Sequence, residues 1–205
     1  IFIMPGVPRE MREMYQASVA PILQERSGER VLLKRSIHSF GLGESAVAER
    51  LGELLARTRS PTVGTTASEG IVSARIYASG TRDEATEQLE ATTIEIQRAL
   101  SPYVFGEDDN SLAAVVGTLL IERGETLATA ESCTGGGLGA EITALSGSSV
   151  WFRGGWVTYS NDMKIAEVGV PAELIAPGGA VSKELANAMA LGAVERSQAD
   201  HSLSV

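Results

Sequence analysis

The sequence predicts an α/β protein in which a C-terminal α/β domain, with helices packed on a sheet, follows a smaller α+β unit. Strand-like and helix-like segments alternate along the 205 residues, and this alternation is typical of helices that cover a sheet. An acidic stretch at 106–110 separates the two parts, and alanine and glycine become more frequent after it. No apolar run approaches the roughly 20 residues of a membrane span. We therefore expect two folded parts and no membrane segment.

The composition limits the classes of partner. The net charge of −9 argues against sequence-independent binding of nucleic acid, which depends on clustered lysine and arginine. Small anionic ligands remain possible, because backbone N–H groups can bind them locally. The single cysteine excludes a disulfide within the chain and fits a reducing compartment. We therefore expect a cytoplasmic protein that binds neither nucleic acid nor a membrane.

The two ends of the sequence suggest a piece of a longer protein. Residues 1–4 have the apolar character of a buried strand, a Pro-Gly-x-Pro turn follows, and a helix is predicted over about 9–23. One strand and one helix cannot bury a core, so we expect residues 1–28 to be the tail of another domain. Residues 201–205 are similar to the opening of a further strand.

The segment 29–107 predicts a small β-α-β-β-α unit. Thr81 is the expected N-cap of its second helix, where acidic residues follow in the first turn. Ser68-Glu69-Gly70 is the expected hairpin turn. The predicted elements are a strand at 31–42, a helix at 43–58, a hairpin at 62–80, a helix at 81–100 and a short strand at 103–105.

The segment 108–205 predicts alternating helices and strands. Ser111 and Gly124 are expected to begin and end its first helix. The next strand ends near Ala130, a second strand covers 149–160, and a short helix begins at Asn161. A last helix is predicted over 180–197 with Ser182 in a capping position. This order is typical of an α/β domain.

The turn after the strand that ends near Ala130 contains a candidate nucleophile. Ser132 stands at the carboxyl end of that strand, where open α/β sheets usually bind ligands. The glycines that follow let backbone N–H groups approach a phosphate or a developing oxyanion. The plain alternative is a glycine-rich turn in which Ser132 or Thr134 caps the helix. Neither a P-loop nor a G-x-S-x-G elbow is present.

The stretch "GGWVTYSNDMKI" supplies candidate bases for such a serine. Tyr159 and Lys164 lie at the junction of a strand and a helix, and a lysine of lowered pKa, or a deprotonated tyrosine beside it, can accept a hydroxyl proton. The alternative is a surface lysine and a tyrosine at the sheet edge. Cys133 is expected to be a small buried residue, and the distant His38 and His201 predict no metal site.

Three motifs in order, "ESCTGG", "GGWVTYSNDMK" and "GGAVSKELANAMALGA", resemble the C-terminal domain of the CinA family. "RSIHSFGLGESAVAERL" resembles the KH-like connecting domain of that family, and "IFIMPGVPREM" resembles the end of its molybdopterin-binding-like domain. The resemblance implies that residues 1–28 are the tail of the molybdopterin-binding-like domain, 29–107 a small α+β KH-like domain, and 108–205 the C-terminal domain.

In its active members that C-terminal domain is a nicotinamide-nucleotide amidase, which converts nicotinamide mononucleotide (NMN) to nicotinate mononucleotide and ammonia. The resemblance implies that Ser132 is the nucleophile and that Tyr159 and Lys164 move its proton. It also implies that Thr134, Gly135 and Gly136 hold the substrate, with no metal or organic cofactor. A family segment similar to T-G-x-A-G-P, which helps to form the substrate pocket, does not follow the last strand here.

The KH-like unit lacks the G-x-x-G loop that RNA-binding KH domains use. We therefore expect this unit to act as a spacer or dimerisation piece, and we expect the protein to form a homo-oligomer.

Two other hypotheses stay open for the function. The longer protein could act mainly as an ADP-ribose pyrophosphatase with this part auxiliary, or the chain could be a non-catalytic nucleotide-binding protein linked to competence.

Overall fold

The computed structural model describes residues 1–175 and 181–205 and divides into two compact units, Ile1–Asp109 and Asn110–Val205. Ala180, the first residue of the last predicted helix, lies outside the described residues. No helix in the described ranges is both long and apolar enough to cross a membrane.

The N-terminal residues of the first unit form a helical stretch and no strand. Helix α1 (Pro8–Met14) passes through a π-helical turn (Tyr15–Val19) into helix α2 (Ala20–Ser27). The predicted strand over 1–4 is wrong: these residues have no regular structure, and the Ile1 and Ile3 side chains are exposed. An apolar run becomes a strand only beside another strand that satisfies its N–H and C=O groups. No described strand pairs with this run.

The first unit contains four strands, β1 (Val31–Phe40), β2 (Thr62–Ser68), β3 (Ile71–Gly80) and β4 (Val104–Glu107). They form a wholly antiparallel sheet in the order β2-β3-β1-β4. The hairpin between β2 and β3 turns at Glu69 and Gly70, which both have positive φ, as a type I′ hairpin turn requires. This confirms the predicted turn.

Two helices cover one face of this sheet. Helix α3 (Glu44–Leu51) continues into a short 3₁₀ turn (Gly52–Leu55), and helix α4 (Arg82–Leu100) begins with the predicted Thr81 cap. The Glu84 N–H donates to the Thr81 hydroxyl, and the Thr81 N–H donates to the Glu84 carboxylate. The core between sheet and helices contains Ile37, Val47, Leu51, Val72, Ile76, Leu89, Ile96 and Leu100.

The second unit is built on a parallel sheet in the order β6-β5-β7. The predicted strand over 149–160 is shorter than expected, because a 3₁₀ turn (Ser148–Val150) precedes β6. The elements in chain order are α5 (Leu112–Arg123), β5 (Leu127–Glu131), α6 (Gly137–Thr143), β6 (Phe152–Val157), α7 (Asn161–Val168), α8 (Ala172–Ile175), α9 (Lys183–Ser197) and β7 (His201–Ser204).

Both faces of the central strand β5 are covered, and all five of its residues are buried. On one face Ala128 and Ala130 pack in a cluster with residues of α7 and α9. On the other face Leu127 packs with α5, α6 and Trp151. Because the three strands are parallel, the ends of β5 and β6 and the start of the loops after them meet at one edge of the sheet.

A glycine lets α9 lie very close to the end of α7. Gly192 is buried in α9, and a Cβ atom there would overlap the carbonyl oxygen of Val168, the last residue of α7. Any larger residue would push the two helices apart. This close approach fixes the position of α7, which carries Lys164.

Candidate active site

Ser132 is the first residue after β5, and its backbone is held by the neighbouring strand. The Ser132 N–H donates to the Val205 carbonyl at 2.6 Å, and the Val205 N–H donates to the Ala130 carbonyl at 3.1 Å. The ladder between β5 and β7 therefore continues as far as the nucleophile candidate.

Lys164 reaches this serine from α7. Its side chain has 0% exposure, and its Nζ lies 3.0 Å from Ser132 Oγ. Nζ also donates to the carbonyl oxygens of Thr158 at 2.8 Å and Tyr159 at 3.2 Å. The structure thus joins the serine and the lysine that sequence reasoning singled out.

The environment of Lys164 favours its neutral form. Burial lowers the pKa of Lys164, because removing an ammonium ion from water costs more than removing an amine. Within residues 1–175 and 181–205, no carboxylate forms an ion pair with it. A neutral amine has two hydrogens and one lone pair. If the two carbonyl oxygens take the hydrogens, the lone pair is left for the Ser132 hydroxyl, which is the arrangement of a general base.

Tyr159, the third residue of the predicted catalytic set, is placed differently. Its side chain is 75% exposed, and its hydroxyl makes no hydrogen bond in the described part of the chain. Its backbone carbonyl accepts a hydrogen bond from Lys164 Nζ. The structure therefore brings together the side chains of Ser132 and Lys164 but not the ring of Tyr159.

Glu131 is a functional candidate that sequence reasoning left without a role. It is the last residue of β5 and only 2% exposed. Its carboxylate accepts the Thr134 hydroxyl at 2.8 Å and the N–H groups of Leu138 at 2.9 Å and Gly139 at 2.7 Å. Burial raises the pKa of this carboxyl, but the hydrogen bonds that it accepts outweigh burial and hold the pKa below the usual glutamate value. Glu131 is therefore an ionised group under the turn.

The remaining N–H groups of the turn can be accounted for individually. The Gly135 N–H donates to the Ser132 carbonyl, and the Gly136 N–H contributes to the lowered pKa of Glu131. Among the described residues, the N–H groups of Cys133 and Thr134 have no acceptor, and both residues are exposed. Of the three residues predicted to hold a substrate, Thr134, Gly135 and Gly136, Gly135 therefore has its N–H group committed to a backbone carbonyl.

A pocket of about 120 Å³ opens beside the serine. It is mainly apolar, and none of its lining residues is charged. Cys133 is exposed rather than buried as expected, and it lines this pocket next to Ser132. The pocket is lined by Ser132, Cys133, Val181, Ser182, Leu185, Ala186, Met189 and Val205.

The two histidines lie elsewhere. His38 contacts the Ser73 hydroxyl and the Asp108 carbonyl, each at 2.8 Å, so it is a strand residue with both ring nitrogens hydrogen-bonded. His201 contacts Glu125. Within the described residues, no group of three His, Cys, Asp or Glu side chains is arranged to hold a metal ion.

The fold and this site define the C-terminal unit as a parallel α/β domain in which a buried lysine contacts a half-buried serine at the carboxyl edge of the sheet. Two family models match the chain: the CinA C-terminal domain over residues 109–205 and the damage-inducible protein CinA KH domain over residues 34–106. The chain belongs to the CinA family.

Relatives carry the same family name. A CinA-like protein of Synechocystis sp. is 43% identical over 207 residues, which are 100% of this chain and 50% of the relative. A CinA-like protein of Parasynechococcus marenigrum is 44% identical over 207 residues, again 100% of this chain and 49% of the relative. The chain thus spans about half the length of these relatives. The crystal structure of competence/damage inducible protein CihA from Agrobacterium tumefaciens matches with a TM-score of 0.45 and 41% identity, covering 45% of this chain and 56% of that one.

Proposed function

We propose that the C-terminal domain is a nicotinamide-nucleotide amidase that hydrolyses NMN to nicotinate mononucleotide and ammonia. The observation that carries this proposal is the contact between the buried Lys164 amine and the Ser132 hydroxyl. A domain that only binds nucleotides needs no buried base against a serine. The CinA family resemblance supplies the substrate, and the uncharged, mainly apolar pocket beside Ser132 suits a flat carboxamide-bearing ring.

The reaction would proceed in two halves. Lys164 accepts the Ser132 hydroxyl proton while Oγ attacks the carboxamide carbon, giving a tetrahedral oxyanion. When the C–N bond breaks, the Lys164 ammonium returns the proton to the leaving nitrogen, and ammonia departs from a nicotinoyl ester of Ser132. Lys164 then takes a proton from water, the hydroxide attacks the ester, and the proton returns to Ser132 Oγ as the acid leaves.

We propose a supporting role in proton transfer for Tyr159, whose hydroxyl would approach the site when substrate binds. The scheme uses side chains and water alone, so we propose no metal ion or organic cofactor. We also propose a cytoplasmic homo-oligomer, with residues 1–28 as a domain tail, 29–107 as the KH-like connecting domain and 108–205 as the amidase domain.

The proposal is tested by ammonia release from NMN with the purified protein and three variants. Ser132→Ala and Lys164→Ala remove the nucleophile and its base, so each should lower turnover on the order of 10³-fold or more. Cys133→Ala is the matched control in the same turn and should stay within about tenfold of the unmodified protein, because the Lys164 amine bonds to Ser132, Thr158 and Tyr159 and not to the Cys133 thiol.

Two outcomes would count against the proposal. Loss of activity in Cys133→Ala with activity retained in Ser132→Ala, both folded, would show that the nucleophile is wrong. Absence of ammonia release by the unmodified protein, with cleavage of ADP-ribose instead, would favour the pyrophosphatase hypothesis.

A further inference from the structure

We propose that one face of the sheet in the first unit binds single-stranded RNA. This face lies within Ile1–Asp109 and contains no residue of the candidate active site, so the proposal goes beyond the amidase function and does not depend on it. It differs from the expectation drawn from the net charge of the whole chain, because the charges of this unit are distributed unevenly.

The face in question is the one turned away from α3 and α4. Ile37 and Ile76 point toward those helices and are fully buried, and successive side chains of a strand point to opposite faces of a sheet. The residues that alternate with them therefore form an open face, on which the side chains of Lys34, Arg75 and Tyr77 are exposed. This open face includes Lys34, Ser36 and His38 of β1 and Ser73, Arg75 and Tyr77 of β3, the two central strands.

The charges of the first unit are separated between its two faces. Helices α3 and α4 contain seven acidic residues and three arginines. Strands β1, β2 and β3 contain no acidic residue, and Glu107 of β4 bonds to Gln97 of α4 on the helix side. In the ranges 1–175 and 181–205, neither Lys34 nor Arg75 forms an ion pair. Both cations are therefore available to the phosphate groups of a nucleic acid.

Aromatic rings lie on the same face as these cations. Tyr77 is directly opposite Lys34 across the ladder between β1 and β3, and Arg75 is opposite Ser36. The Tyr77 ring is 38% exposed, and Phe40, at the end of β1, is 50% exposed. Lys34 and Phe40 are separated by about 20 Å along an extended strand. Four-stranded sheets bind single-stranded RNA by stacking its bases on such exposed rings.

The chemistry of the open face favours RNA over a second copy of the chain. Stable homodimer interfaces are mainly apolar at their centre, whereas here the polar side chains of Ser36 and Arg75 are paired at the centre. Two copies packed face to face would also bring like charges together. RNA is favoured over DNA because Thr62, opposite Tyr77, and Thr66 expose hydroxyl groups on β2. A hydroxyl both donates and accepts, which matches the 2′-hydroxyl of ribose.

The test is the fluorescence anisotropy of a labelled oligouridine of about ten nucleotides, titrated with the protein at about 50 mM salt. We expect the unmodified protein to bind with a dissociation constant of about 10⁻⁶–10⁻⁴ M, the range of binding dominated by phosphate contacts. Tyr77→Val removes the ring but keeps a good strand former, so it should weaken binding roughly 5- to 100-fold. Tyr77→Phe keeps the ring and should bind as the unmodified protein does.

Arg75→Gln tests the phosphate contact. Loss of one such contact should weaken binding and make the slope of log K against log salt shallower by about 0.7. Arg98→Gln is the matched control, because Arg98 is an exposed arginine of α4 and its replacement changes the net charge by the same amount. It should leave the affinity and the slope unchanged. Thermal unfolding checks that each variant, substituted at an exposed position, remains folded.

Other outcomes would overturn the proposal. If the unmodified protein does not bind the oligouridine, or if Arg75→Gln and Arg98→Gln have equal effects, the open face is not an RNA-binding surface. Single-stranded DNA of the same length should bind more weakly, and an equal affinity would overturn the assignment to RNA. Sedimentation equilibrium should give the same mass for the unmodified protein and Tyr77→Val. A dimer that Tyr77→Val dissociates would show instead that a second copy covers this face.

Discussion

At the scale of single residues, the candidate site depends on one lysine that is buried and, within residues 1–175 and 181–205, has no carboxylate partner. Lys164 has 0% exposure, and its amine contacts two carbonyl oxygens and a hydroxyl. Burial disfavours the ammonium ion, which is why the pKa of Lys164 lies below that of an ordinary lysine. The same burial that makes the amine a base also destabilises the folded protein whenever the amine is protonated.

This linkage predicts how stability changes with pH. Between the lowered pKa of folded Lys164 and the ordinary lysine pKa of the unfolded chain, the unfolded state binds more protons, so the free energy of unfolding rises with pH. Lys164→Met removes this contribution. The stability of Lys164→Met relative to the unmodified protein should therefore fall as pH rises through that window, as measured by urea unfolding at a series of pH values.

Lys183→Met is the control for that experiment, because Lys183 is an exposed lysine at the start of α9. It gives the effect of replacing a lysine by methionine at an exposed position. A Lys164→Met difference that does not vary with pH would show that Lys164 does not have a lowered pKa.

The residue scale also shows what sequence can and cannot predict. Ser132 and Lys164 were candidates from local pattern, as a serine directly after one strand and a lysine near the start of the helix after the following strand, and the family resemblance supplied their roles. Glu131 could not be assigned a role, because that role depends on how the turn after β5 folds back over its carboxylate. The spacing of residues along the sequence does not reveal this backbone conformation. The exposure of the Tyr159 ring likewise depends on three-dimensional packing rather than on the Y-x4-K pattern.

At the scale of helices and strands, local signals located most elements well. The hydroxyls of Thr81, Ser111 and Ser182 each accept an N–H from the third residue of the helix that follows, as predicted from capping preferences. The strand expected at 1–4 was wrong because strand formation needs a partner, which the pattern of one segment cannot reveal. The length of β6 was overestimated because Ser149 and Val150, the first residues of the predicted strand, belong to the 3₁₀ turn before it.

The packing of α9 on α7 provides a prediction at this scale. Gly192→Ala should gain helix propensity of up to about 1 kcal/mol, yet its Cβ would overlap the Val168 carbonyl oxygen. Overpacking of this kind costs roughly 1–3 kcal/mol, which is often more than the free energy gained from the better helix propensity of alanine. We therefore expect a lower free energy of unfolding, together with weaker turnover, because α7 carries Lys164.

Asn187→Ala is the control on the same helix, since Asn187 is exposed and alanine is a better helix former. It should leave stability unchanged or slightly higher. If Gly192→Ala proved as stable as Asn187→Ala in chemical denaturation, the close approach of α7 and α9 would not matter for packing.

At the scale of the whole molecule, the chain consists of two compact units that meet in sequence at Asp109 and Asn110. Sequence reasoning proposed a boundary from the acidic composition of 106–110. The structure adds that Asp108 is tied to β1: its N–H donates to the Ser36 carbonyl, and its carboxylate accepts the Ser36 N–H at 2.8 Å. Composition could suggest the linker but not this attachment.

Limited proteolysis tests the division. Residues 108–110 are exposed, and exposed segments between compact units are preferred cleavage sites. Because Asp108 is bound to β1, we expect the first cut after Asp109, giving a C-terminal fragment that starts near Asn110, as read by mass spectrometry. First cleavage inside the turn after β5 would contradict the two-unit description.

The parallel order of the C-terminal sheet also affects how the candidate site forms during folding. Leu127 pairs with His201 across the β5–β7 ladder, and the backbone of Ser132 bonds to Val205. Pairing of segments so far apart in sequence forms slowly, because chain entropy must be lost before the contacts form. After denaturation the helices can return early, whereas the contact between Ser132 and Lys164 requires the strands on both sides of β5. Under the proposed amidase function, the recovery of turnover would therefore report the final assembly of the sheet and measure the rate of the last step of folding.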